Sequence, residues 1–325
     1  MITDIHRHFV PSAFFDFVCS RPEFQVIIKR REGERIDTDI RGMHFGLNTT
    51  FFDLRKQFEQ MRGEGVERAV FSLATPFIDY HQDGEFAVET AARYNDALAE
   101  SIGDEPERCR AWAFLPMQSP QASADELRRC VGQFGFIGGH IASNVRGVYL
   151  HDPCFEPVLR AAMDLNVPLF VHPADPPGKD RTRDYELTVV AGYLFDSTIN
   201  VLRMICSGFL DRWPNLKLVC AHTGAFSLAL RARMQREVDT NPSIAANLQR
   251  PVGEYLRQLY FDSVCFEPQM LQYASQVVPP EHIMLGSDAP FPLGEADPVG
   301  FVRRSLPATQ AEAILRTNLD RLLEA

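Results

Sequence analysis

Eight short apolar runs rich in β-branched and aromatic residues punctuate the chain: 2–6 (ITDIH), 68–74 (RAVFSLA), 110–116 (RAWAFLP), 136–142 (FIGGHIA), 167–172 (VPLFVH), 216–222 (LKLVCAH), 258–263 (QLYFDS) and 282–288 (HIMLGSD). They run apolar without strict alternation, as strands do when both faces of a parallel sheet are covered. Between them, stretches such as 85–102, 121–134, 154–165, 193–211, 227–238 and 267–277 carry apolar residues at helical spacing. Strand and helix alternating eight times is the pattern of an α/β (β/α)8 TIM barrel. A doubly wound open sheet shows the same alternation, so the count alone leaves both architectures open.

One segment breaks the rhythm. About fifty residues separate the first run from the next expected helix, Asp53–Arg62. Within them 24–30 (FQVIIKR) and 34–40 (ERIDTDI) read as a small β-hairpin turning at Glu32-Gly33. The pattern predicts one barrel domain over 1–325, with an insertion after strand 1 at about 12–52 that overhangs the mouth, where loops build binding sites.

Composition narrows the class. The chain has 325 residues, 45% of them hydrophobic, enough for a large core. A formal net charge of −10 offers no general attraction to nucleic acid or to anionic lipid. No run is apolar for a whole membrane crossing, and the start, Met1-Ile2-Thr3-Asp4, has no signal-peptide pattern. The seven cysteines are scattered, with no C-x-x-C pair, which predicts reduced thiols and a cytoplasmic protein. Partners expected are therefore small molecules, not nucleic acid or membrane.

The candidate chemistry sits at the strand ends. His6 and His8 end the first run, and residues i and i+2 of a strand face one side. His172 ends the fifth, His222 the sixth and Asp288 the eighth. In a closed barrel these ends converge on one face, where active sites of the fold sit. A lone H-x-H is a weak signal, and a single strand-end histidine is commonly just a satisfied polar residue. Four of nine histidines plus an aspartate, all at strand ends, point to one divalent ion per chain. Three imidazoles and a carboxylate suit zinc first, with manganese or iron as alternatives. His140, inside the fourth run, is a candidate pocket residue; His44 lies in the insertion; His81, His151 and His282 read as surface or loop residues.

The chain resembles the amidohydrolase superfamily, in its branch of 2-amino-3-carboxymuconate 6-semialdehyde decarboxylase-like enzymes. The resemblance covers most of the chain. It rests on Asp4-Ile5-His6-Arg7-His8, Leu115-Pro116-Met117-Gln118, Leu169–Pro173, Pro214-Asn215-Leu216-Lys217, the His222 region, and above all Met284-Leu285-Gly286-Ser287-Asp288-Ala289-Pro290-Phe291-Pro292-Leu293-Gly294-Glu295. It implies a barrel, a homodimer, and one ion held by His6, His8, His172 and Asp288, with His222 beside it acting on water. The fourth strand has no lysine to bridge a second ion. Three departures bear on the substrate. His222-Thr223-Gly224-Ala225 stands where relatives have His-Gly-Gly-Gly. His172-Pro173-Ala174-Asp175-Pro176 lacks the family's tryptophan. The insertion's carboxylate-binding arginine has no secure match: Arg41 is nearest, and an ungapped alignment puts Phe45 there. Arg233 matches an arginine that the family lends across the dimer. The resemblance implies a decarboxylase of a small aromatic or unsaturated carboxylic acid, with Asp288 and His222 as catalytic residues. The alternative is a hydrolase of a lactone, amide or related carbonyl using the same metal-activated water.

Overall fold

The computed structural model describes residues 1–325. Strand β1 (Thr3–His8) is followed by β2 (Val26–Glu32), β3 (Arg35–Ile40) and β4 (Met43–Asn48), then β5 (Arg68–Ser72), β6 (Cys109–Phe114) and β7 (Gly138–Ala142). After these come β8 (Asn144–Val145), β9 (Val148–Tyr149), β10 (Leu169–His172), β11 (Leu218–Cys220), β12 (Tyr260–Asp262) and β13 (Ile283–Met284). One eight-stranded sheet runs β1-β5-β6-β7-β10-β11-β12-β13, each pairing parallel. Its ends meet: Ile5 N donates to Leu285 O at 2.8 Å, His8 N to Ala289 O at 2.7 Å, and Asp288 N to His6 O at 2.9 Å. Sequential order with joined ends makes this the (β/α)8 barrel and excludes the doubly wound sheet.

The helices pack outside by an apolar stripe. Gly84–Ile102 shows the logic: the Asp83 carboxylate caps it by accepting from Phe86 N at 3.1 Å. Ala87, Ala91, Tyr94, Leu98 and Ile102 then fall on one buried face. The interior is filled by Ile5, Val70, Trp112, Phe170, Val219 and Met284, with Leu319 and Leu322 of the last helix packed on them. The indole of Trp112 stacks on Phe170 and donates to Ile5 O at 2.8 Å. Register shifts between Asp4 and Arg7 on β1, so both Ile5 and His6 reach the interior where strict alternation would part them. The run Asp184–Cys206 is long and apolar enough by composition to cross a membrane. Here it is a barrel helix, burying Val201, Met204 and Ile205.

Several elements differ from the sequence expectation. The insertion holds a helix, Ser12–Ser20, and a three-stranded antiparallel sheet, β2-β3-β4, instead of a hairpin alone. Met43, Phe45 and Leu47 alternate along β4, but Gly46 and the two-residue Arg41-Gly42 turn shorten the signal. Strand β11 stops early, because His222 (φ 55°) turns the chain just beyond it, and β13 ends at Met284, four residues before the turn at Asp288 (φ 62°). The expected helix 193–211 breaks at Gly208 (φ 65°), and 227–238 starts only at Arg231, after an irregular loop.

Candidate metal centre

The five strand-end residues come together at the barrel mouth. Each of three imidazoles is anchored through Nδ1. His6 Nδ1 lies 2.6 Å from Asp262 Oδ2. His8 Nδ1 lies 3.1 Å from Ser72 Oγ and 3.3 Å from Leu73 O. His172 Nδ1 lies 2.8 Å from Pro173 O and 3.3 Å from Thr75 Oγ1. Carboxylate and carbonyl acceptors put the proton on Nδ1 and turn the Nε2 lone pair inward, which is how ligating histidines are oriented. The Nε2 atoms of His6 and His172 are buried and make no hydrogen bond. Asp288 Oδ1 lies 3.3 Å from His6 Nε2 and 3.0 Å from His8 Nε2, and Oδ2 lies 3.5 Å from His222 Nε2. The ligand atoms of His6, His172, His222 and Asp288 all fall within 4.8 Å of one another, with His8 joining through Asp288. Orphaned imidazole nitrogens around one carboxylate fit a divalent ion of nitrogen and oxygen preference.

The electrostatics agree. Burial opposes charge on His6, but Asp288 and Asp262 outweigh it and push the imidazole up to about 10. Burial likewise favours the neutral acid at Asp288, yet His6, His222 and His8 hold it well below the usual carboxylate range. Burial depresses His8, and depresses His172 strongly, keeping both neutral. Positive charge is thus favoured at His6, between two carboxylates, where a cation would also be stabilised.

Two residues that build this cluster went unnoticed in the sequence. Asp262, fully buried, binds His6 and also accepts from His222 N (2.9 Å), Thr223 N (2.8 Å) and Val264 N (3.0 Å). Asp4 accepts from His6 N (3.0 Å), Ser287 N (3.1 Å) and Ser287 Oγ (2.5 Å), stapling β1 to the loop carrying Asp288. The signal for Asp262 was its place near the end of the seventh run, the position that His172, His222 and Asp288 hold in theirs. The loop at 222–225 has positive φ at every residue. Thr223, unfavourable there as a β-branched residue, is held by its amide to Asp262 Oδ1 and its hydroxyl to Asp262 O at 3.1 Å. Gly224 follows because a Cβ would meet Phe261 at 2.5 Å.

A cavity of about 370 Å³ adjoins the cluster through Thr75 and Ala174, between the insertion sheet and the loop 75–83. Arg41 lines it, donating to Pro76 O (2.9 Å) and Ile78 O (3.1 Å) and facing Asp79 at 3.6 Å. Met43 and Phe45 face the cavity, whereas His44 between them points away and is exposed. His81 is at the rim, paired with Asp175 at 2.9 Å. His140 does not line the cavity: it is sealed beneath His172, rings 6.0 Å apart, and neither of its nitrogens has a protein partner. Arg233 is exposed on the helix Arg231–Thr240 and does not line the cavity.

A parallel barrel with imidazoles and a carboxylate gathered at its C-terminal face defines a class of candidate metalloenzymes. The chain belongs to the Amidohydrolase family, Amidohydro_2, whose model matches residues 3–324. A 2-amino-3-carboxymuconate-6-semialdehyde decarboxylase from Dictyostelium discoideum is 29% identical over 78% of this chain and 70% of its own length. A gamma-resorcylate decarboxylase from Rhodococcus jostii (strain RHA1) is 30% identical over 71% of this chain and 75% of its own. The fold matches a dihydroxybenzoic acid decarboxylase from Polaromonas sp. JS666, solved with bound manganese and 2-nitroresorcinol, with TM-score 0.78 and 23% identity. That match covers 99% of this chain and 96% of the other.

Proposed function

We propose that this chain is a metal-dependent carboxy-lyase acting on a small aromatic or unsaturated carboxylic acid. The observation that carries the reading is the set of Nδ1-anchored imidazoles turned towards Asp288 beside a cavity of substrate size, in a chain whose similar relatives include several decarboxylases. His6, His8, His172 and Asp288 hold one divalent ion, zinc by the donor set. His222 is the partner outside that set: its Nδ1 has no hydrogen-bond partner, unlike the Nδ1 of the three ligating imidazoles. The chain acts as one barrel with its insertion, in the cytoplasm, as a homodimer in which Arg233 reaches a neighbouring site.

When bound, the ion supplies Lewis-acid stabilisation of negative charge on the substrate's oxygens. The residues supply the proton. Decarboxylation breaks a C–CO2⁻ bond, leaves its electron pair on carbon, and fills that position with a proton as CO2 departs. Asp288 Oδ2 and His222 Nε2, 3.5 Å apart, can hold and pass that proton.

Turnover in D2O tests the reaction. It is expected to release one CO2 per product and leave one deuterium on the carbon that lost it. Solvent ¹⁸O in the product skeleton with no CO2 released overturns the reading in favour of hydrolysis.

A further inference from the structure

Arg7 stands between the two histidines of β1, yet the metal and proton chemistry of the site leaves it no part. Its side chain meets the helix Leu54–Glu64 and is fully buried. Nε donates to Gln57 Oε1 at 2.7 Å. Nη1 donates to Glu64 Oε2 at 2.7 Å and to Asp4 Oδ2 at 3.2 Å. Nη2 is buried and makes no hydrogen bond. A guanidinium buried with one nitrogen unsatisfied is poor evidence for stability, since apolar side chains of similar volume often do as well or better. What this one does is connect.

Each of two partners grips a residue of the metal cluster. Gln57 Nε2 donates to His8 O at 2.9 Å and to Thr50 O at 3.0 Å. Asp4 accepts from Arg7, from His6 N (3.0 Å), and from Ser287 through both N (3.1 Å) and Oγ (2.5 Å). Four donors fill the lone pairs of that carboxylate. Ser287 Oγ in turn accepts from Ala289 N at 3.1 Å. Asp288, with φ of 62°, is therefore held in the left-handed region by ties on both its neighbours, and those ties run through Asp4 to Arg7.

We infer that Arg7 is a positioning residue of the metal centre. Through Asp4 and Ser287 it sets Asp288, and through Gln57 it sets the backbone of His8. The inference rests on the reading of His6, His8, His172 and Asp288 as the ligands of one ion. It assigns the buried charges behind β1 to the geometry of that centre.

Co2+ is the probe, because chelator competition gives its affinity and its visible absorption bands report ligand geometry. The variants are Arg7→Lys, Ser287→Ala, the two combined, and Glu64→Gln. Lysine keeps the charge but lacks the planar fork that reaches Gln57, Glu64 and Asp4 together. Arg7→Lys and Ser287→Ala are each expected to weaken Co2+ about tenfold or more, the range for loss of an outer partner, and to shift the absorption bands. The combined variant is expected to lose no more than the worse single one, since both interrupt the same chain. Glu64→Gln leaves Arg7 on Asp4 and Gln57, and is expected to lower the melting temperature while keeping affinity within about threefold, less than loss of an outer partner.

Unchanged affinity and bands in Arg7→Lys overturn the inference. So do fully additive losses in the combined variant, or an equal loss in Glu64→Gln, which marks general loosening of the fold. If Arg7→Lys does not fold, Gln57→Met, which cuts the arm to His8, is read in its place: a tenfold loss supports the inference and unchanged affinity overturns it. Absence of stoichiometric Co2+ in wild type overturns the metal-centre reading and this inference with it. Wild-type binding with unaffected variants overturns the inference alone.

Discussion

Replacing Asp262 by Asn exchanges one carboxylate oxygen for an NH2 group and disturbs the whole cluster. The carboxylate is fully buried and receives His6 Nδ1–H at 2.6 Å and the amides of His222, Thr223 and Val264 at 2.8–3.0 Å. An amide oxygen at the Oδ1 position can keep Thr223 and Val264. The NH2 then faces His222 N–H and His6 Nδ1–H, donor against donor. Hydrogen bonds to a charged group contribute about 1.5–3 kcal/mol each, so losing two costs roughly 3–6 kcal/mol of folding stability before relaxation. His6 can relieve one clash by giving up its Nδ1 proton and keeping one on Nε2, the nitrogen needed for the ion. Loss of such an outer partner lowers metal affinity about 10–100-fold. Thermal unfolding gives the first quantity, and competition with a chelator of known affinity gives the second. Full metal affinity, within threefold of wild type, in an Asn variant that is destabilised as expected would show that Asp262 is only a structural tie and refute the tautomer argument.

His222→Ala is expected to retain the ion but lose turnover by about 10²–10⁴-fold, the range for removing a general acid or base; loss of the metal at wild-type turnover per ion would make His222 a ligand. In metal-free protein the pH profile of thermal stability should have a plateau. His6, raised from 6.5 to about 10, contributes fully below 6.5 and loses its contribution as pH rises through 10. Asp288, held well below 3.8, contributes above 3.8 and loses its contribution as pH falls through its own depressed value. Metal uptake at pH 7 should accordingly release one proton from His6, measurable by calorimetry in buffers of different ionisation enthalpy; zero release counts against the protonated cluster. His140→Leu removes two buried nitrogens that have no protein partner, and should raise stability by about 1–3 kcal/mol in denaturant titration; a loss of stability would mean that those nitrogens are satisfied in solution. Sedimentation should find a dimer, and Arg233→Ala should raise KM without lowering the melting temperature; a fully active monomer removes the trans role.

The sequence by itself determined the alternation of eight strands with helices and the strand-end position of the candidate residues, while closure of the barrel was settled by the tertiary structure. Apolar runs doubly covered by helices are a local signal repeated eight times, and a strand end is the one place where His6, His8, His172, His222 and Asp288 could share a function. Tertiary structure alone decided how those residues are oriented. Asp262 is 256 residues from His6 in sequence, and Asp4 is 283 from Ser287, so no local pattern pairs them. The cavity was equally out of reach. Its wall joins the insertion sheet, a two-residue hairpin tip at Arg146 and the loop 75–83, elements brought together only when the barrel closes. Whether an arginine in that wall faces a carboxylate, as Arg41 faces Asp79, or only backbone carbonyls, as Arg146 does, depends on which groups lie near it across space, and hydrophobic periodicity carries no information about that.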